Sequence, residues 1–127
     1  MHERTLVSMA AAVAVLLAPA ARAGEPPKKT PQLLEKGKAS FALNCAACHG
    51  AKGEGDGAAA AALNPKPRNF ATDPFKHGSS VAQVYETLGT GSPGTAMIAF
   101  KHLPDEERWG LAYYVLDLKS VGKGAKK

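Results

Sequence analysis

Apolar residues recur along most of this chain at steps of three and four positions, which is the spacing of one face of an α-helix. Residues 32–48 carry the first such face, formed by Leu34, Gly37, Phe41 and Cys45. Glycine within a helix costs about 1 kcal/mol relative to alanine, so Gly37 indicates that another helix crosses closely there. No stretch alternates with the period of two that is typical of a strand.

Two further helices are predicted in the middle of the chain. Glycines and prolines make residues 50–78 a loop, within which 58–63 forms a short helix. A longer helix is predicted over 80–88, because one of two serines at its start can cap it and Gly89 can end it.

The last predicted helix covers 104–119 and has the widest apolar face. Pro104 suits the first turn, and the acidic residues 105–107 place negative charge at the positive end of the helix dipole. Two adjacent stripes of large apolar side chains run from Trp109 to Leu118. With four predicted helices and no predicted strand, the expected fold class is all-α.

The N-terminus has the pattern of a secretory signal peptide. Arg4 precedes an apolar run over 6–18, and small residues at Ala21 and Ala23 form a cleavage site. We therefore expect cleavage after residue 23 and a periplasmic protein. A membrane anchor is the alternative, although a spanning helix needs roughly 20 apolar residues.

The rest of the chain is predicted to be one domain. A Pro-rich, flexible leader covers 24–32, the folded domain covers 33–120, and a basic, flexible tail covers 121–127. The chain has a net charge of +5, 45% hydrophobic residues and 21% charged residues, as a folded protein does. An exported chain that lacks a surface motif of interleaved aromatic and basic residues is not expected to bind nucleic acid.

The strongest chemical motif is Cys45-Ala46-Ala47-Cys48-His49. The spacing C-x-x-C-H is the attachment motif of c-type haem. Two thiols three residues apart on a helical turn can reach the two vinyl groups on one edge of the porphyrin. The adjacent histidine is then placed as an axial ligand of the iron.

Three other interpretations of the motif are weaker. A disulfide between Cys45 and Cys48 is the simplest alternative in an exported protein. A redox-active dithiol of the thioredoxin type follows a strand, whereas a helix is predicted here. A zinc site needs two further ligands, and Cys48 beside His49 is an awkward chelating pair.

The second axial ligand is predicted to be Met97. It is the only methionine outside the predicted signal peptide, and it lies in a Gly- and Pro-rich loop. A buried methionine that only fills a gap is the alternative role. His77 and His102 are rival ligands.

These features together resemble a small class I cytochrome c over roughly residues 33–120. The resemblance rests on Gly37 and Phe41, the haem motif with Gly50, the GTAMIAF segment around Met97 and the WGLAYYVLDL helix. It implies three to five helices wrapped around one covalently attached haem. It also implies that the first and last helices cross at a glycine–aromatic contact, with Tyr114, or alternatively Tyr113, opposite Phe41.

The resemblance also suggests residues around the haem. A proline carbonyl, of Pro65 or Pro67, is expected to accept a hydrogen bond from the His49 ring. Arg68 is a candidate partner for a haem propionate. One departure from many relatives is Ile98, which stands where proline commonly follows the methionine ligand.

The predicted function is that of a periplasmic one-electron carrier with His49 and Met97 on the iron of one haem c. It is expected to be a monomer that docks transiently on redox partners, among them a membrane-bound oxidase or dehydrogenase. A haem subunit of a larger oxidoreductase is one alternative. An open-iron protein that handles peroxide, or a gas or redox sensor, is another.

Overall fold

The computed structural model describes residues 24–124. The predicted signal peptide, 1–23, and the last three residues of the predicted tail lie outside this range. Within it the chain contains helices and no strand, so the predicted all-α fold is confirmed. The elements are α1 (Pro31–Asn44), α2 (Ala46–His49), a short 3-10 turn (Ala60–Ala62), α3 (Val81–Thr90) and α4 (Asp105–Gly124).

Helix α1 begins earlier than predicted, at a proline. The side chain of Thr30 caps it by accepting a hydrogen bond of 3.1 Å from the Leu33 amide. Pro31 occupies the first helical turn, where proline's missing N–H has no helical partner to lose. The buried face includes Leu33 rather than the predicted Leu34, together with Gly37.

Helices α1 and α4 form the main packing contact of the fold. The rings of Phe41 and Tyr114 meet edge to face, with their centroids 5.2 Å apart. The predicted aromatic half of the crossing is therefore confirmed for Tyr114. Gly37 lies against Gly110 of α4, a partner that the hydrophobic pattern did not reveal.

Helix α3 packs on α4 and has the predicted N-terminal cap. Ser80 and Gln83 form a reciprocal capping box, in which each side chain bonds the other residue's main-chain amide. The predicted end at Gly89 is wrong, because the helix continues to Thr90 and closes at Gly91, whose φ is +71°. Gly89 instead leaves space for a guanidinium nitrogen of Arg108.

The middle and last predicted helices also differ in extent. The predicted helix over 58–63 is only a 3-10 turn, Ala60–Ala62, whose first two carbonyls accept hydrogen bonds from the Lys66 ammonium. Helix α4 runs to Gly124, beyond the predicted end at residue 119. Near the C-terminal end of α4, Gly122 packs directly on Ala71, which lies in the loop before α3.

The segment before α1 lies along α4. The Tyr113 hydroxyl donates a 2.7 Å hydrogen bond to the carbonyl of Pro27, and the Lys29 ammonium contacts the Asp117 carboxylate at 2.6 Å. Among residues 24–124 no helix combines the length and the apolar character that crossing a membrane requires.

Candidate functional site

The helix is interrupted at the first cysteine of the motif. Cys45 ends α1 and precedes α2, so the single helix predicted over 32–48 is two helices. The amides of Cys48 and His49 both donate to the Cys45 carbonyl, at 3.1 and 2.9 Å. Both thiols are free. The motif therefore forms one compact turn that presents two thiols and an imidazole together.

A glycine-rich loop holds this turn in place. The amide of Gly55 donates to the His49 carbonyl at 2.8 Å, and that of Gly57 donates to the Cys48 carbonyl at 3.1 Å. Gly55 has a φ of +76°, and a methyl group on it would lie 2.6 Å from the carbonyl oxygen of Pro67. The loop can pass this close to α2 and to the segment around Pro67 only because Gly55 has no side chain.

The motif lines a cleft of about 650 Å³, which is within the usual size range of cofactor sites. Most of the side chains around it are apolar or aromatic. All three residues of the haem motif and every rival for the second ligand position reach it. Its lining includes Phe41, Cys45, Cys48, His49, Leu63, Pro65, Pro67, Arg68, Phe70, Phe75, His77, Val84, Leu88, Met97, Ile98, Phe100, His102 and Val115.

The His49 ring has a fixed hydrogen-bond partner. Its Nδ1 lies 3.1 Å from the main-chain carbonyl of Arg68. A carbonyl only accepts, so Nδ1 carries the proton and Nε2 keeps its lone pair. The prediction of Pro65 or Pro67 as the acceptor is therefore wrong, since the acceptor is the residue after Pro67. The carbonyl of Pro67 packs against Gly55 instead.

The surroundings of the ring favour the form that binds metal. Burial lowers the pKa of His49, and the nearby positive charge of Arg68 lowers it further, while the hydrogen bond to the Arg68 carbonyl raises it in part. The imidazole is therefore neutral around pH 7, and a neutral imidazole with a free Nε2 is a metal ligand.

The first cysteine does not have the environment of a redox-active dithiol. Burial, together with the neighbouring Cys48, raises the pKa of the Cys45 thiol to about 12. Dithiols that exchange disulfides have lowered pKa values instead. Within residues 24–124 no three histidine, cysteine or acidic side chains are grouped so that they could hold a metal ion, so the geometry does not favour the zinc alternative either.

Met97 is held by its main chain on both sides. Its amide donates to the Thr95 hydroxyl at 3.1 Å, and its carbonyl accepts from the Ser92 amide at 3.0 Å. Its side chain is partly buried and packs on the hydrophobic core. These hydrogen bonds position the methionine although Ile98, and not proline, follows it.

The two rival histidines line the same cleft but are exposed. The Nε2 atom of His77 is 3.2 Å from the Ser92 hydroxyl, and the ring of His102 packs loosely on Phe100 at 5.9 Å between centroids. Arg68 also reaches the cleft, and its guanidinium donates to the carbonyl of Pro74. Its predicted bond to a propionate stays a prediction.

The residues present fit a covalently attached haem. Two thiols lie on one turn, a neutral imidazole has Nε2 free, and a methionine thioether lines the same largely apolar cleft. The family model for cytochrome c matches residues 34–119. The chain belongs to the cytochrome c family. Its members carry a covalently bound haem c, which they use for electron transfer, and this chain supplies the two cysteines that the attachment needs.

A solved structure supports the same fold. The chain is similar to a protein of the reducing HAO-like complex of Kuenenia stuttgartiensis, with 38% sequence identity and a TM-score of 0.69. The match covers 79% of this cytochrome and 50% of that protein. This cytochrome thus spans about half the length of its structural relative.

The contact of Phe70 with His49 was not predicted from the sequence. The Phe70 ring stacks on the His49 imidazole, with centroids 4.4 Å apart and planes 20° apart. The only signal in the sequence is an aromatic residue two positions after Arg68, which fixes no contact by itself.

Proposed function

We propose that this cytochrome is a periplasmic one-electron carrier. Cys45 and Cys48 would attach the haem, and His49 and Met97 would be its axial ligands. One observation carries the proposal: a single cleft is lined by both thiols, an imidazole whose Nε2 is free, and the thioether of Met97. A bound haem c supplies a one-electron Fe(III)/Fe(II) couple at such a site.

Met97 is preferred over His77 and His102 because of its setting. Its side chain packs on the core and both its main-chain polar groups are bonded, whereas both histidines are exposed. A side chain that is already ordered loses little entropy when it binds a metal. Thioether sulfur also favours Fe(II), and this raises the reduction potential relative to two imidazole ligands.

The lining of the cleft suggests the kind of redox partner. Its charged members are the cations Lys66, Arg68 and Lys76, and no Asp or Glu is among the residues that line it. Leu43 is 85% exposed and Ile98 is 63% exposed beside them. An acidic partner with an apolar centre fits such a surface, since opposite charges speed the encounter and apolar contact removes water.

A role as a subunit of a larger oxidoreductase is the second proposal. It is favoured by the similarity to a protein of the HAO-like complex, of which this cytochrome spans about half. The two roles are separated by purifying the exported protein under mild conditions. A carrier elutes alone, whereas a subunit elutes with a second chain.

The proposal is tested on the purified exported protein by its mass and its visible spectrum. We expect the mass of residues 24–127 plus one haem, a c-type spectrum, the weak far-red band of ferric iron bound to a thioether, and recovery in the periplasmic fraction. A colourless product with both thiols free or joined to each other would refute haem attachment. Carbon monoxide binding by the untreated reduced protein would favour an open-iron enzyme or sensor.

A further inference from the structure

The imidazole of His49 is held by two different contacts. Its Nδ1–H donates to the Arg68 carbonyl, and the Phe70 ring lies almost parallel to it at 4.4 Å. The hydrogen bond acts at one atom of the imidazole, whereas the stacked ring lies against one of its faces. The two contacts therefore restrain the same ring at different places.

The Phe70 ring is itself fixed from several directions. Its amide donates a 2.8 Å hydrogen bond to the Gly53 carbonyl. Its ring meets Phe41 at 6.2 Å and Phe75 at 6.0 Å between centroids, both edge to face. A methyl group on Gly53 would lie 2.9 Å from Cδ2 of Phe70, so the main chain of the glycine-rich loop also packs against the ring.

We propose that Phe70 is a positioning residue that sets the plane of the axial imidazole. This inference rests on the proposed function, because it assumes that His49 binds the haem iron. An imidazole bound to a metal through Nε2 can still rotate about that bond, and the hydrogen bond at Nδ1 restrains it at one atom. A planar ring in stacking contact adds a restraint on the face of the imidazole, since rotation would lose the contact or drive the two rings together.

The orientation of the imidazole plane matters for the electronic structure of the site. Together with the orientation of the second axial ligand, it sets how unpaired spin in the ferric state is shared among the four pyrrole rings of a haem. The paramagnetic NMR shifts of the four haem methyl groups report that distribution directly. A side chain that only fills space in the core would not be expected to alter it.

The test compares Phe70→Leu with Phe100→Leu, both in the haem-loaded protein. Each variant loses one aromatic ring from the same cleft, but Phe70 stacks on His49, whereas the ring of Phe100 lies against His102. Phe70→Tyr keeps the flat ring and serves as the conservative rescue. The readouts are covalent haem by mass, the pattern of haem methyl shifts in the ferric state, and the reduction potential.

We expect Phe70→Leu to retain covalent haem but to change the order or spread of the methyl shifts and to shift the potential. We expect Phe100→Leu and Phe70→Tyr to keep the wild-type pattern. If Phe70→Leu yields too little haem protein, Phe70→Met replaces it, since methionine fills the space without a flat ring. A wild-type pattern in the Phe70→Leu or Phe70→Met protein would overturn the proposal. A change of equal size in Phe100→Leu would overturn it too.

Failure of the proposed function looks different. If His49 did not bind the iron, the wild-type protein itself would lack the spectrum of a haem with an axial histidine. The wild-type spectrum is therefore measured first, and the variants are compared only if it shows a haem with an axial histidine.

Discussion

Gly37 and Gly110 bring the main chains of α1 and α4 into direct contact. A methyl group on Gly37 would lie 2.0 Å from the Gly110 carbonyl oxygen, and one on Gly110 would lie 2.5 Å from the Leu33 carbonyl oxygen. Both clashes are with main-chain atoms, which cannot move aside as the end of a flexible side chain can. The crossing that supports the haem motif therefore requires glycine, which has no side chain, at both positions.

Gly37→Ala is expected to destabilise the protein by about 3 kcal/mol or more, at or above the upper end of the usual cost of overpacking. The higher helix propensity of alanine returns at most about 1 kcal/mol of this. The measurement is the denaturant midpoint of the haem-loaded protein. Gly124→Ala is the matched control, because a methyl group there meets nothing within 4 Å. An unchanged midpoint for Gly37→Ala would show that the helices can separate at little cost.

Much of this fold could be predicted from local sequence. The three- and four-residue spacing identified α1, α3 and α4, and the pair Ser79 and Ser80 marked the start of α3, where Ser80 is the cap. The break at Cys45 could not be predicted in this way, and neither could the loop after α2, whose amides bond the carbonyls of Cys48 and His49. Hydrophobic spacing describes one face of one helix and contains no information about such contacts.

Met97→Ala is expected to remove the far-red band of the ferric protein, to lower the reduction potential, and to let the reduced protein bind carbon monoxide. Each result follows from the loss of a soft sulfur ligand that favours Fe(II). Optical spectra and a redox titration measure them. His77→Ala and His102→Ala are the controls, since both residues line the same cleft. If either of these variants loses the band instead, that histidine is required for the ligand arrangement.

Asp105 is expected to contribute to stability in a pH-dependent way. Hydrogen bonds from Arg108 and then from Tyr85 hold the pKa of its carboxyl group below its usual range. A carboxyl group with a lower pKa in the folded state stabilises the fold fully above its unfolded pKa of about 3.9, and this stabilisation is lost as the pH falls through the folded pKa. Asp105→Asn should therefore be less stable than wild type at neutral pH, with the difference shrinking below about pH 4.

The measurement is the thermal midpoint as a function of pH. Glu106→Gln is the control, because Glu106 is a neighbouring carboxylate of α4 that contacts Lys36 instead. Parallel pH profiles for wild type and Asp105→Asn would contradict the expected linkage.

The residues that attach the haem were easier to predict than the contacts that hold those residues in place. The spacing of Cys45, Cys48 and His49 is set by a covalent requirement, so it can be recognised without any tertiary contact. The acceptor for His49 could not be chosen from sequence, because the folded loop decides which carbonyl faces the ring. The Pro67 carbonyl packs against Gly55, and the Arg68 carbonyl faces His49. The stack of Phe70 on His49 depends on the same folded loop.

Lys76→Glu is expected to slow oxidation of the reduced protein by hexacyanoferrate(III), a small trianionic oxidant. Lys76 is exposed and lines the cleft, whose charged members are all cations. Reversing its charge should lower the second-order rate constant by about two- to threefold or more at low salt, since electrostatic steering changes association rates by factors of about 10 to 10³. The effect should shrink at high salt, where the Debye length falls to about 3 Å at 1 M.

Stopped-flow measurements at several ionic strengths provide the rate constants. Lys38→Glu is the matched control, because it changes the net charge equally from an exposed position on α1 outside the lining of the cleft. If both variants slow the reaction equally, net charge alone is responsible and the cations at the cleft have no special role. If only Lys76→Glu does so, and only at low salt, electrons leave the protein through the cleft.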